Sequence, residues 1–466
     1  MVHPKATTRI CFLPAISKTR FAGLLLVTLF VVFFYLAAHE SPGEIVVSGK
    51  FNFVATPPKP FFKRFEAAEH LNCEMFFEKQ DNSTHQEIKV EVDLDKLEFD
   101  MNCSAIMKQN FFSRTPLSPA EASFPLAFTK VVYMDYLFLE ADLASIYAPQ
   151  NSYCFSIDLS ADWKFKSRIH ALSECFPNIM YATSEFDVDS AGHNMHASQL
   201  PCLEALRSFG PWKYVALLQN HDAALKTNAE MVQIYRWLDG ANDVQLRPPF
   251  MERLNQNLDW TFKGLNLFKN STKNTDQKIA LATGYNECSL SRAAVEYIFD
   301  ELNVDKLVYQ LNIGGYGIDE FLFPTLQSDD AIGLPGGITR RCIDENVIHF
   351  FFYFTRRSIW SHLPPCDCAS RLWRHGICAF GTEMLAELEN WPVLFGNKFI
   401  PSMDYGAFEC MRERLFNRSY AVNRRLPEDT LNDSVYKTHL TVRYNQERRM
   451  SNFDKNKFSC NYQHTG

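Results

Sequence analysis

The chain has 466 residues, 46% of them hydrophobic and 22% charged, and a net charge of −7. That composition is globular and excludes a disordered chain. The mild acidity offers no basic face of the kind nucleic-acid binding needs, so no nucleic-acid partner is expected. Only residues 21–38 form a long uncharged apolar run, which excludes a multi-span membrane protein.

That run (FAGLLLVTLFVVFFYLAA) is long enough to cross a hydrocarbon core of roughly 30 Å. Lys5, Arg9, Lys18 and Arg20 precede it, and Glu40 and Glu44 follow. The charge bias predicts a single-pass type II topology: a cytosolic tail (1–20), a signal anchor (21–38) and a lumenal remainder. A cleaved signal peptide ending near Ala37 and Ala38 competes with this, but such apolar cores run about 7–15 residues.

Residues 39–120 read as a stem with some local structure, containing the Pro-rich stretch 56–60. From Phe124 the texture changes. A short strand is predicted at 130–133. A helix carrying Tyr136, Leu139, Leu143 and Ile146 on one face follows, stopped by Pro149. Next come a strand at 153–157 ending on Asp158, a helix with Phe165, Ile169 and Leu172, a strand at 179–182, a helix near 196–206 disturbed by Pro201, and a strand at 214–218. Thr227 and Glu230 open a helix to Leu238 with the spacing of a capping box. The run at 349–354 (HFFFYF) reads as a buried strand. The last residues, 421–466, are a polar extension that Cys460 ties down.

Strands alternating with helices predict an α/β fold with a mostly parallel central sheet. Ligands of such sheets bind beyond the carboxyl ends of the strands, which puts Asp158 and residues 219–222 at a candidate binding edge. Of thirteen cysteines, Cys11 precedes the apolar run, leaving an even twelve in a compartment that favours disulfides. N-x-Ser/Thr sequons at Asn82, Asn102, Asn270, Asn417 and Asn432 fit a glycosylated lumenal body.

Several metal-like patterns compete with surface chemistry. Asp187-Val188-Asp189 is a literal Asp-x-Asp, which a metal reading would load with Mn²⁺. Acidic pairs are also common in loops. Cys366, Cys368, His375 and Cys378 imitate a zinc knuckle, against which stands the oxidising setting. Gly314-Gly315-Tyr316-Gly317 lacks the strand-turn-helix context of a phosphate loop and reads as a turn. No metal site is assigned.

Four segments carry a family resemblance: IYAPQNSYC at 146–154 followed by Asp158; WKY at 212–214 leading to Asp222 and KTN at 226–228; IDEF at 318–321; and PPC at 364–366 through CAFG at 378–381 to LFGNKF at 394–399. In order and spacing, over about residues 124–410, these resemble the Core-2/I-branching β-1,6-N-acetylglucosaminyltransferases, a family that also contains protein O-xylosyltransferases. The resemblance implies a GT-A, Rossmann-like glycosyltransferase domain (121–420) that inverts configuration and needs no metal. It implies a UDP-sugar donor, no further cofactor, a glycan or glycoprotein acceptor, and a Golgi membrane location. It leaves a homodimer open.

The same resemblance assigns roles. Lys398 matches the family's diphosphate-binding lysine. The matching arginine falls on Arg374 or, counted strictly, is replaced by His375. Glu320 matches the catalytic base, although its local sequence also suits a helix cap before Phe321. Asp158 would hold uridine, in a pocket lined by Val131 and Tyr133. Disulfides carried over are Cys73–Cys410, Cys103–Cys175, Cys154–Cys202 and Cys366–Cys378; Cys288, Cys342, Cys368 and Cys460 stay unassigned. The segment Gln219-Asn220-His221 and the position near Gln245 depart from the family. They motivate an alternative, a lumenal glycan-binding protein on a glycosyltransferase fold without turnover.

Overall fold

The computed structural model describes residues 45–46 by their backbone, together with residues 58–78, 88–345, 353–363 and 367–461. The tail 1–20, the apolar run 21–38, Asn82 and Cys366 lie outside the described residues, as does most of the expected strand at 349–354. Among the described residues no helix is long and apolar enough to cross a membrane.

The central sheet has the order β1-β4-β3-β2-β5-β7. Its strands are β1 (Ile45–Val46), β2 (Leu126–Val132), β3 (Ser152–Ile157), β4 (Ile179–Ala182), β5 (Tyr214–Gln219) and β7 (Ser289–Ser291). The inner four run parallel, and β1 and β7 close the edges antiparallel. All seven residues of β2 and all six of β3 are buried, as a sheet covered on both faces requires.

The two-residue period of the strands sorts their side chains into two cores. Leu126, Phe128, Val132, Tyr153, Phe155, Ile157, Tyr214, Ala216 and Leu218 enter one, with helices α1 (Tyr136–Ile146), α2 (Trp163–Cys175) and α4 (Asn228–Leu238). Ala127, Cys154, Val215 and Leu217 enter the other, with Cys202, Leu203 and Leu206 of α3 (Met195–Ser208). Pro201 sits inside α3 without breaking it. The capping box before α4 forms in both directions between Thr227 and Glu230.

A second, three-stranded sheet positions the site. Here β11 (Phe395–Asn397) pairs antiparallel with β6 (Ala223–Ala224) and parallel with β8 (Arg356–Ser358). A hairpin of β9 (Leu372–Arg374) and β10 (Ile377–Ala379) stands beside it. Tyr353 and Phe354, at the end of the apolar run, are buried in irregular backbone just before β8.

Two regions differ from the sequence reading. The stem expected at 39–120 is, over its described part, packed onto the domain. Leu71, Phe76, Val90, Leu94, Ile106 and Phe112 join the same core as α1 and α5 (Pro401–Tyr420). Its backbone N–H at Phe65 donates to Glu409 at 2.8 Å, and Arg412 of α5 donates to Asn110 at 2.8 Å. Cys73 bonds to Cys410. In the polar extension, Tyr436, Leu440, Val442 and Tyr444 are likewise buried, and Cys460 bonds to Cys342.

Disulfides also join Cys103 to Cys175 and Cys154 to Cys202. The pairing Cys366–Cys378 is corrected: Cys378 bonds to Cys368, closing the loop that carries Arg374. Cys288 is a buried free thiol.

Candidate active site

The carboxyl ends of β2, β3 and β5 meet at one edge. The turn after β5 closes on itself, because the Gln219 N–H donates to Asp222 Oδ2 at 2.7 Å. It is sewn to the end of β2 through Asn220, whose Oδ1 accepts from the N–H groups of Tyr133 (2.7 Å) and Met134 (3.2 Å). Val131 is buried at this end of β2, while Tyr133 keeps 38% of its surface exposed. Asp158 follows β3 directly. Its Oδ1 accepts from the N–H and hydroxyl of Ser160 (2.7 and 2.5 Å) and its Oδ2 from the Val188 N–H (3.0 Å). These bonds fix the carboxylate's plane.

Cations gather on the neighbouring sheet. Lys398 follows β11; its C=O accepts from the Phe380 N–H at 2.9 Å, which pins it beside β10. Arg374 ends β9, before a two-residue turn in which His375 (φ 52°) and Gly376 (φ 76°) are both left-handed. That is the tight turn matched to hairpin twist. Neither Lys398 Nζ nor the Arg374 guanidinium hydrogen-bonds to a described residue. Burial first, then the nearby Arg356 and Arg374, pull the Lys398 ammonium down to about 8, against the upward pull of Asp222 and Glu287. Arg374 is half-buried, and its charge acts on Tyr133 at the end of β2.

Beneath them lies Arg356 of β8, 5% exposed. It donates to Asp222 Oδ1 at 3.3 Å and pairs with Glu287 Oε2 at 2.7 Å. Asp222 Oδ1 also accepts from the Asn397 side chain at 2.8 Å, next to Lys398. Burial alone would pull the Arg356 guanidinium down; Glu287 and Asp222 more than offset it.

Carboxylates form the other side. Glu320 ends a short 3-10 turn (Ile318–Glu320) and leads into the helix Leu322–Ser328. Its Oε2 accepts from Arg253 at 2.6 Å, and its C=O accepts from the Gly284 N–H at 3.0 Å. Gly317, at φ 63°, is required here, since a Cβ would meet the Arg253 guanidinium at 2.5 Å. Burial, with Arg356 pulling against it and Asp222 and Glu320 adding repulsion, pushes Glu287 up to about 7. Burial with Glu320 and Glu287 close by pushes Asp319 up to about 8. Glu287 thus feels Glu320 on one side and Lys398 on the other, so the structure brings Glu320, Lys398 and Arg374 into one electrostatic neighbourhood.

The Core-2/I-Branching enzyme family matches residues 126–389, more than half of the chain. The chain belongs to this family. It is 28% identical over 330 residues to the bovine herpesvirus 4 (strain DN-599) β-1,3-galactosyl-O-glycosyl-glycoprotein β-1,6-N-acetylglucosaminyltransferase, covering 68% of this chain and 73% of that protein. It is 28% identical over 337 residues to enzyme 3 of that name from Mus musculus, covering 70% of this chain and 76% of that protein. It is 28% identical over 332 residues to its counterpart from Bos taurus, covering 68% and 73%. Membership in the Core-2/I-branching family makes the chain a glycosyltransferase, and its largely parallel sheet fits a GT-A-like fold.

Within this Core-2/I-branching chain the Asp-x-Asp is spent locally. Asp189 accepts from the N–H groups of Ala191 and His193 (2.9 and 3.0 Å), and its other oxygen lies 2.7 Å from His193 Nδ1. Among the described residues no group of three or more His, Cys, Asp or Glu side chains could hold a metal. Asn102, Asn270, Asn417 and Asn432 are exposed. A cavity of about 980 Å³ opens near Asn417 and Asn432 and contains none of the candidate site residues. Its arginines Arg414, Arg418 and Arg424 are paired with Glu389, Glu230 and Glu121.

Sequence reasoning missed Arg253, Glu287 and Arg356. The last was visible only as a charge ending the apolar run at 349–354. Nothing in the local sequence marks Glu287 as its partner.

Proposed function

We propose that the chain is an inverting, metal-independent transferase that moves GlcNAc from UDP-GlcNAc onto a glycan or glycoprotein hydroxyl in β-1,6 linkage. It would act in the Golgi lumen, held there by residues 21–38. The observation that carries this reading is the pair of cations, Lys398 and Arg374, without a hydrogen-bonding partner among the described residues, in the same electrostatic neighbourhood as Arg356, Glu287 and Glu320.

In this reading uridine lies at the β2–β3 edge against Val131, Tyr133 and Asp158. Lys398 and Arg374 hold the diphosphate and supply the positive charge that a divalent cation brings in other enzymes of this fold. Glu320 takes the acceptor hydroxyl's proton as that oxygen attacks the anomeric carbon from the face opposite UDP. The bond to the β-phosphate breaks, and UDP leaves with its growing charge stabilised by fixed cations in a partly dry cleft. Arg253, 2.6 Å from Glu320, orients the base.

The relatives named above transfer N-acetylglucosamine in β-1,6 linkage to β-1,3-galactosyl-O-glycosyl-glycoproteins, which supports the choice of donor and linkage. The test is a transfer assay on the full chain with UDP-GlcNAc and a mixed glycan acceptor, with and without EDTA. Transfer that survives chelation is expected. Loss on chelation, restored by Mn²⁺, overturns the metal-free step. UDP-GlcNAc binding with no transfer to any acceptor favours a glycan-binding protein instead.

A further inference from the structure

The buried ion triad of Arg356 with Asp222 and Glu287 is among neither the candidate donor-binding residues nor the candidate base. A buried arginine with two carboxylates is weak evidence for stability. Desolvation offsets most of the attraction, and well-packed apolar residues in such places are often as stable. Stability alone therefore gives little reason to put a guanidinium here. Its Nε is buried without a hydrogen-bond partner, so the group is not placed to satisfy its own donors.

Its connections run to the reacting groups instead. Asp222 Oδ1 is shared between Arg356 and the side chain of Asn397, the residue before Lys398. Parallel pairing of β8 with β11 sets Arg356 opposite Phe395 and Ser358 opposite Asn397, so Lys398 leaves the strand just past the triad. On the other side Glu287 lies in the segment that begins at Gly284, whose N–H holds the Glu320 backbone.

We propose that Arg356 is a positioning residue: by gripping Asp222 and Glu287 together it sets the place of Lys398 against the diphosphate and restrains the segment that holds Glu320. The proposal rests on reading the cleft as a nucleotide-sugar site. Arg356 itself touches neither substrate.

The charges that face Lys398 come from four elements: Arg356 on β8, Arg374 on β9, Asp222 after β5 and Glu287 before β7. UDP needs Lys398 protonated, so UDP affinity falls as pH rises through about 8. Arg356→Gln removes a repelling cation. The alkaline midpoint of UDP binding then moves to higher pH, while affinity below the midpoint drops on the order of tenfold because Lys398 is misplaced. Arg356→Lys keeps the charge; it leaves the midpoint near its original place and recovers part of the affinity. Glu287→Gln removes an attracting carboxylate and moves the midpoint to lower pH. Gln keeps the size of the Glu287 side chain and one of its acceptor oxygens.

The experiment is UDP binding by calorimetry across the interval around pH 8, on the full chain and these three variants, each checked for a cooperative melting transition. A folded Arg356→Gln with unaltered midpoint and affinity overturns the proposal. If Arg356→Gln does not fold, Glu287→Gln decides: a downward midpoint shift supports the role, and an unmoved midpoint overturns it. If the unaltered protein fails to bind UDP, the nucleotide-sugar reading falls and takes this proposal with it. UDP binding with unmoved midpoints sinks the Arg356 role alone.

Discussion

The two halves of the proposed site are built on opposite principles. On the donor side Lys398 and Arg374 have no hydrogen-bonding partner among the described residues, and Lys398 is repelled by its neighbours. On the base side Glu320 is already paired with Arg253, and the carboxylates beside it are pushed toward neutrality, Glu287 to about 7 and Asp319 to about 8. A half-buried cation without a partner gains from an arriving anion, which suits the proposed donor side to a ligand that brings its own negative charge. In the proposed reading the base side receives a neutral hydroxyl, beside a Glu320 carboxylate that Arg253 holds in place.

The sharpest break of this contrast is Glu320→Gln. Removing the base while leaving the cations is expected to cut transfer about 10²- to 10⁴-fold with UDP affinity nearly unchanged. Initial rates and UDP titration on the same preparation check it. A parallel loss of UDP binding would mean that Glu320 belongs to the donor side. Next in size is Lys398→Ala. The expected loss is on the order of 10²-fold in kcat, with weakened UDP binding, because charge grows on the leaving diphosphate in the transition state. Arg374→Ala is expected to act in the same direction, and His375→Ala to leave UDP binding unchanged. A loss confined to His375→Ala would reassign the second cation.

How much of this was legible in the sequence follows from the range of the contacts. The strands and helices from Leu126 to Leu238 are local, and their apolar spacing carried them, as did the Thr227/Glu230 box that opens α4. Pro201 misled because one proline removes one hydrogen bond, and α3 packs its Cys202, Leu203 and Leu206 against the sheet regardless. The packing of residues 58–120 was not legible. It depends on partners such as Cys410, 337 positions from Cys73, and a Pro-rich, charged segment shows no trace of them. The choice of Cys368 over Cys366 is two residues wide in sequence, too fine for a motif match to decide. Arg356 and Glu287 escaped notice because an ion pair across 69 positions leaves no local pattern in either segment. The linear motifs named the candidate substrate-binding groups, and the buried charges near them emerged only in three dimensions.

A smaller effect sharpens the donor side alone. The Cys368–Cys378 bond closes a ten-residue loop around Arg374, and its loss is expected to cost about 2–3 kcal/mol. Cys368→Ser should therefore lower the melting temperature and weaken UDP binding several-fold, while leaving the Arg253–Glu320 pair undisturbed. Peptide mapping under non-reducing conditions should recover the 368–378 link. A 366–378 link instead would return the pairing to the family pattern and shift the hairpin's anchor by two residues.

The smallest expected effect separates the two walls by the sign of their pH dependence. Glu287 and Asp319 titrate from 4.5 and 3.8 in the unfolded chain, but near 7 and 8 when folded. Between about pH 4 and 8 the folded state therefore holds more protons than the unfolded one, and stability falls as pH rises through that window. Lys398 is displaced downward, from 10.5 to about 8, so the unfolded state holds the extra proton between those values and stability recovers as pH rises from 8. Asp319→Asn should flatten the fall below pH 8 and leave the recovery intact. Lys398→Met should do the reverse. Melting curves of both variants against pH decide it. A single variant that flattens both limbs would show that the two walls titrate as one coupled unit, and the division of the cleft into an anion-seeking side and a hydroxyl-seeking side would have to be abandoned.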